Sequence, residues 1–407
     1  MVKRMSFKQF LFIVPLLCFI GVFSLYPIVT SFLYTFFDYR TNDQRYNNFY
    51  INEKFNGELF AEDCQYVNYF LSADITLVEA EDQEALTAVM EKVTAMQEKY
   101  EGETETRAMV SGEKEELEAF MEEIKTEIMA VYDKYPDVQF YNRENIATIL
   151  EELEGTIVKT NFTGATNYKK LVTDERFWKA LAHTAFFMVC SVATEFVLGM
   201  GLALIMNKAM RGIGIVRTIG LIPWAIPTAV SALMWSYLYD GSYGIVSKIF
   251  SELGIISSQA SMLLTADGAM ASAILADIWK TTPYMALLLL AGLQTIDSGL
   301  YESASIDGAG PVRAFFSITL PLMKPSIMVA LLFRTLDAFR VYDLIAILTS
   351  GGPGNGTETL SVYAYKLMFN QGNYGYGSSV VIGMFVCVAI IATIYVKVLG
   401  AEVFKND

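Results

Sequence analysis

"YESASIDGAGPVRAFFSITLP", residues 301–321, lies between two long apolar runs and is too charged and too glycine-rich to continue either of them. Asp297 or Ser298 can cap a helix over about 299–306, with Glu302 early enough in it to meet the positive end of the helix dipole. Gly308 or Gly310 can end that helix, and Pro311 suits the first position of a second one running toward Leu320. The stretch therefore predicts a bent pair of short helices hanging from a membrane, with no nucleophile and no pocket. Such a knob is suited to docking into a partner; a merely compact loop is the plain alternative.

The flanking sequence supplies the membrane. Of 407 residues, 53% are hydrophobic and 18% charged, an apolar excess over ordinary globular proteins. The net charge of −14 is unevenly spread: Asp38 to Arg176 holds 31 acidic and 14 basic residues, and the remainder is slightly basic. An acidic polar insert is thus set into an apolar body. Six runs are long enough to cross a bilayer, at about 10–36, 179–207, 214–239, 269–293, 326–349 and 379–400. Helices are expected because lipid offers the backbone no hydrogen-bond partners. The first run follows a basic flank but is too long for a signal peptide and lacks a small-residue cleavage site, so it reads as an uncleaved span. Lys3, Arg4 and Lys8, then Lys208, Arg211 and Arg217, then Arg313 and Lys324 mark the cytoplasmic ends. Both termini and the knob then lie inside, and the insert and the 240–268 and 351–378 connections outside. The expected fold is an all-α polytopic membrane protein of about six transmembrane helices with a helical extracytoplasmic insert between the first and second. Its parts are a cytoplasmic N-terminus and first span (1–39), the insert (40–160), and a membrane core (161–407) with the cytoplasmic loop at 297–324.

The insert has helical periodicity. Leu86, Val89, Met90, Val93 and Met96 form one stripe; Leu117, Phe120, Met121, Ile124, Ile128, Val131 and Tyr132 a second; Ile146, Ile149, Leu150, Leu153 and Ile157 a third. Three amphipathic helices need one another's apolar faces, so a small helical domain is expected, with "YEGETETRAMVSGE" (100–113) as a polar turn. A solvated acidic spacer is the alternative. Cys18, Cys190 and Cys387 in apolar runs and Cys64 in the insert give no disulfide or metal framework and read as small buried hydrophobes.

The knob and its surroundings carry a resemblance. "ESASIDGAGPVRAFFSITLP" resembles the cytoplasmic EAA loop of binding-protein-dependent ABC transporter permeases: Glu-Ala-Ala, then Asp-Gly-Ala, then Ile-x-Leu-Pro, with Ser303 in place of the first alanine. "NYKKLVTDERFWKALAHT" (167–184), "RTIGLIPWAIPTAVSALMW" (217–235), "FRTLDAFRVYDLIAILTSGGPGNGTETLSVY" (333–363) and "YGYGSS" before the last run are similar to the sugar-permease, maltose-type branch. The resemblance implies a subunit of the bacterial cytoplasmic membrane that pairs with a second permease, most simply as a heterodimer. It further implies two cytoplasmic ABC ATPase subunits and an extracytoplasmic solute-binding protein that delivers a sugar. Glu302, Ser303, Ala304, Asp307 and Gly308 would be the ATPase-coupling residues. ATP and Mg would be held by the ATPase partners, and no cofactor, metal or nucleic acid is expected on this chain. In keeping with that, no Gly-x-x-x-x-Gly-Lys-Ser/Thr segment is present; "SGGPGNG" (350–356) lacks the lysine and reads as a turn.

Ionisable residues inside spans are costly, roughly 2.5–3.5 kcal/mol each, and mark pathways or internal ion pairs. In the fourth run Asp277, Lys280, Thr281 and Tyr284 share one helical face, and in the fifth Arg334 and Asp337 share another. Hydrogen-bonding groups with an aromatic ring suit a polyhydroxylated solute, and these six are the expected substrate pathway. The competing reading pairs Arg334 with Asp337 and Arg340 with Asp343 as structural ties. His183 reads as a packed or interfacial residue, and Trp224 and Trp235 as interface or packing aromatics. Three other functions are weighed. A membrane receptor with a helical external sensor would need an output domain, and the end "GAEVFKND" offers none. A proton-coupled secondary transporter would usually show inverted repeats, and an enzyme would need a catalytic set; neither is seen.

Overall fold

The structure, a computed structural model, describes residues 7–43, 46–103, 106–208 and 212–403. Lys3, Arg4 and Arg211, two residues of the expected polar turn (104 and 105) and the last four residues lie outside that description.

The first apolar run forms α1 (Phe7–Ile20) and α2 (Tyr26–Tyr34), joined by one π-helical turn. Together they make a continuous apolar span, Leu11–Tyr34, none of whose apolar window is buried by the rest of the chain. A helix apolar on every side is suited to lipid rather than water. Thr35, at its end, accepts a hydrogen bond from Asn167 Nδ2 at 3.0 Å and touches the Tyr168 hydroxyl at 2.9 Å.

Phe36–Gly164 is a compact unit of its own. It begins and ends at a neck, where Phe37 bridges Phe162 and Asp38 N donates to Asn161 O at 2.8 Å. Its elements are β1 (Lys54–Asn56), α3 (Gly57–Asp74), α4 (Ala80–Lys99), β2 (Thr106–Ala108), α5 (Glu113–Lys134), α6 (Arg143–Glu154) and β3 (Ile157–Val158). The three stripes lie on α4, α5 and α6, and Leu86, Ile124, Ile128, Ile146 and Leu153 are fully buried in one core. Two features differ from the sequence expectation. A fourth helix, α3, is capped by Asn56 accepting from Leu59 N, and contributes Phe60, Cys64, Val67 and Leu71 to that core. A small antiparallel sheet in the order β2-β1-β3 takes Ile157 from the third stripe and crosses the expected polar turn. Strands of two or three residues are too short to show an alternation.

The rest of the described chain forms the second unit. After α2 it continues as α7 (Thr166–Thr173), α8 (Glu175–Met206), α9 (Ile213–Ala225), α10 (Thr228–Leu238), α11 (Ile245–Glu252), α12 (Ser261–Leu264) and α13 (Ala266–Leu293). Then come α14 (Ser298–Ile306), α15 (Pro311–Ala314), α16 (Leu320–Leu322), α17 (Lys324–Phe339), α18 (Asp343–Leu348), α19 (Leu360–Tyr365) and α20 (Tyr374–Val403). Among the described residues four helices, the first span with α8, α13 and α20, are long and apolar enough to cross a membrane; six result if two bent pairs each count as one.

The first bent pair corrects the single straight span expected at 214–239, and a break at 340–342 corrects the one expected at 326–349. α9 and α10 meet at 87° because Pro227 forces Ile226 into an extended conformation (φ −71°, ψ 132°). α17 meets the Pro311–Leu322 segment at 69°. At its other end the chain leaves the helix at Arg340 and resumes at Asp343 as α18. α8 packs along α13, and a Cβ on Gly199 would lie 2.8 Å from Met285 Cγ, so glycine sets their close approach. Cys64 is buried as expected, whereas Cys18 is exposed on the apolar first span and Cys190 and Cys387 are half-buried.

Candidate functional site

Three helices bring ionisable groups together. Arg334 on α17 is 1% exposed and donates from Nε to Glu195 Oε2 at 2.5 Å and from Nη2 to Glu195 Oε1 at 3.0 Å, a fork against a carboxylate on α8. Nη2 also bonds Asp277 of α13, and Nη1 reaches Asp337 at 3.3 Å. Thr281 donates to Glu195 Oε1 at 2.7 Å. The network ties α8, α13 and α17 at their shared core, and every buried charge in it has a partner, as burial requires.

A cavity of 280 Å³ opens on this network. Asp277, Lys280, Thr281, Arg334 and Asp337 all line it, so five of the six predicted pathway residues converge. Tyr284 does not line it; its ring stacks on Trp224, with centroids 5.5 Å apart and planes 14° apart, and Trp224 does. Trp224 therefore belongs to the site rather than to an interface belt. Lys280 Nζ donates to the carbonyls of Ile226 at 2.7 Å and Trp224 at 3.4 Å. It satisfies acceptors freed where α9 breaks, which explains a buried lysine there. Of the two ties in the competing reading, Arg334 with Asp337 is present at 3.3 Å, while Arg340 approaches Asp337 at 3.8 Å rather than Asp343. Glu195 is the residue the sequence reading passed over, although a lone acid in the second apolar run was visible by the rule that found the others.

A second polar cluster lies between the spans. Glu358, 1% exposed, accepts Arg176 at 2.7 and 2.8 Å and Lys366 at 2.8 Å. Burial alone would raise its pKa, but the bonds from Arg176 and Lys366 outweigh burial and hold the carboxyl below the ordinary range. Asp174 accepts the hydroxyls of Tyr363, at 2.5 Å, and Tyr376. His183 Nδ1 lies 3.3 Å from Glu358 O, half-buried, as a packed histidine would.

The knob has the predicted shape. Asp297 accepts from Gly299 N at 2.9 Å to cap α14, and Gly308 (φ 79°) takes the left-handed turn that ends it. Pro311 opens α15, and Tyr301 and Thr319 hydroxyls 2.9 Å apart join its two arms. Glu302, Ser303, Asp307 and Gly308 are exposed, with Ala304 half-buried among them. Ile306 (87% exposed) and Val312 (71%) present apolar surface beside them.

Residues 195–405 match the family described as "Binding-protein-dependent transport system inner membrane component". The chain belongs to that family. It is 46% identical over 237 residues to the trehalose/maltose transport system permease protein MalF of Thermococcus litoralis, a match covering 58% of this chain and 79% of that one. It is 40% identical over 242 residues to the trehalose transport system permease protein SugA of Mycobacterium tuberculosis, covering 60% and 76%. The fold is shared with a bacterial ABC transporter involved in the import of alginate, at TM-score 0.54 and 22% identity over 70% of this chain and 99% of that one. As a binding-protein-dependent inner membrane component, this chain is an integral membrane permease of an ABC importer.

Proposed function

We propose that this chain is the permease half of an ATP-driven importer for oligosaccharides or related sugars, working beside a second, different permease. Two ABC ATPase subunits holding ATP and Mg, and an external solute-binding protein, complete the machine; no cofactor is assigned to this chain. The observation that carries the reading is the polar cavity lined from α9, α10, α13 and α17. Inside otherwise apolar helices it offers carboxylates, hydroxyls and the Trp224 ring, which Tyr284 backs from outside the lining, and a sugar needs both hydrogen-bond partners and aromatic cover. The relatives' names, which concern trehalose and maltose, favour the same class of solute.

The knob, through Glu302, Ser303, Ala304, Asp307 and Gly308, is assigned to a groove on an ATPase subunit. Its exposed carboxylates and neighbouring apolar Ile306 supply the chemistry for such docking. Both termini and the knob are assigned to the cytoplasm and the Phe36–Gly164 unit to the outside. That sidedness is supported by Lys208, Arg217, Arg313 and Lys324 on the inner ends. The test is purification of the tagged chain from gently solubilised native membranes. Recovery of a second permease and an ATPase whose turnover rises with trehalose or maltose and the binding protein is expected. Recovery of the chain alone, with no ATPase activity, would overturn the reading.

A further inference from the structure

A row of aromatic rings leads away from the cavity. It starts at Tyr342, in the break between α17 and α18, which lines the cavity. The Tyr342 ring meets that of Tyr365, at the end of α19, with centroids 4.9 Å apart. The π-helical turn Lys366–Asn370 follows and brings Phe369 to 4.7 Å from Tyr365. Phe369 in turn meets Tyr374, the first residue of α20, at 5.8 Å, and Tyr374 meets Tyr34, the last residue of α2, also at 5.8 Å. Rings that only fill a core are buried, whereas Tyr365 is 41% exposed and Phe369 59%. Asn370 and Gln371 stand exposed next to them in the chain.

From this row we infer a second sugar-binding surface outside the cavity: Tyr365 and Phe369 receive an oligosaccharide on their rings and hand it to Tyr342 at the cavity wall. The inference rests on the sugar-importer reading and on the sidedness given above, which puts the first turn of α20, and so the far end of the row, outside. The C–H face of a pyranose is apolar and can cover a ring, while the hydroxyls at its rim stay in water or meet the amides of Asn370 and Gln371. Passage requires binding strong enough to admit the cargo, yet weak enough and spread over enough points to release it. A series of ring contacts, each modest alone, meets that requirement. Aromatic residues that merely anchor a protein at the membrane surface gather at one depth; here each ring touches the next in an unbroken series that ends at the cavity.

The experiment measures uptake of radiolabelled trehalose and maltose, and the ATP hydrolysed alongside it, by the complete importer and its binding protein in proteoliposomes. Tyr365→Leu combined with Phe369→Leu keeps apolar bulk and removes both rings, whereas Tyr365→Phe combined with Phe369→Tyr keeps them. The leucine pair is expected to move about five- to tenfold less sugar per ATP hydrolysed, the range of two lost ring contacts. Its ATPase should still be stimulated by loaded binding protein, and it should still purify with the second permease. The ring-preserving pair is expected to transport as wild type does, which separates the rings from the packing they provide. Equal sugar moved per ATP by the leucine pair and wild type would overturn the track while leaving the sugar reading in place. Loss of the second permease from the leucine pair would overturn it too, because the rings would then be an interface between subunits. Uptake of neither sugar by wild type would overturn the sugar reading and the track with it.

Discussion

Glu195→Ala would leave the Arg334 guanidinium, 1% exposed, without the carboxylate that meets it at 2.5 and 3.0 Å. Asp277 still bonds the guanidinium, so the loss is of one buried carboxylate partner, about 1–3 kcal/mol, and the purified variant should melt below wild type in detergent. Replacing both residues, Glu195→Leu with Arg334→Met, would leave buried Asp277 without its guanidinium, so recovery is expected only when Asp277→Asn is added, and failure of that triple variant to regain stability would show the network to be more than mutual charge compensation. A second residue-scale prediction concerns the insert. Asp63 is buried with Oδ2 unpartnered, and burial, with Glu152 and Glu62 nearby, raises its pKa from 3.8 to about 7. A carboxyl raised on folding contributes its full stability below about pH 4 and loses it as pH climbs to about 7, here roughly 2–4 kcal/mol. Hydrogen exchange of insert peptides in the intact chain should accelerate over that window, and Asp63→Asn should flatten the response. At this scale the sequence was readable wherever one helical face displayed its own charges, as with Asp277, Lys280 and Thr281. It was silent on which helix supplies each partner. The bonds from Arg334 to Glu195 and from Lys280 to the Ile226 carbonyl join residues 139 and 54 positions apart.

Among the elements, the knob was the most legible, because caps, a glycine exit and a proline entry are local chemistry that no distant contact needs to complete. Glu302→Lys reverses a charge on its exposed face, and full sugar-stimulated ATP turnover in the assembled variant would remove the docking role; a loss of at least tenfold is expected. Gly308→Val should uncouple transport in the same way from a different cause, since a β-branched residue at φ 79° is strained. Solute-binding measurements should be spared in both. The long apolar runs were legible as helices but not as straight ones. Proline at 227 is plain in the sequence, yet a bend of 87° is fixed only when the freed carbonyls find a donor in Lys280. Lys280→Met, which removes that donor, is expected to destabilise the α9–α10 junction by about 1–3 kcal/mol, seen as faster hydrogen exchange at 224–231. The strands of the insert escaped notice for a plainer reason, being too short for any period to emerge, and α3 was missed although Phe60, Cys64, Val67 and Leu71 already carried its stripe.

For the molecule as a whole, the division into an acidic, polar unit and an apolar, helix-rich one was written in the charge distribution. Excising Phe36–Gly164 and joining Thr35 to Ala165 through a short glycine-serine linker is expected to leave membrane insertion and the melting of the remaining helices intact. Transport by that variant should lose its dependence on the external binding protein, and unchanged transport would show the unit to be incidental. The geometry that permits the cut lies at Thr35, which Asn167 and Tyr168 hold by hydrogen bonds, and at the neck where Phe37 bridges Phe162. Each side of the junction is thus already stitched closed. A genome could gain or shed this stretch in a single recombination event without rebuilding either half, and a protein engineer could use the same seam as a socket for a foreign domain.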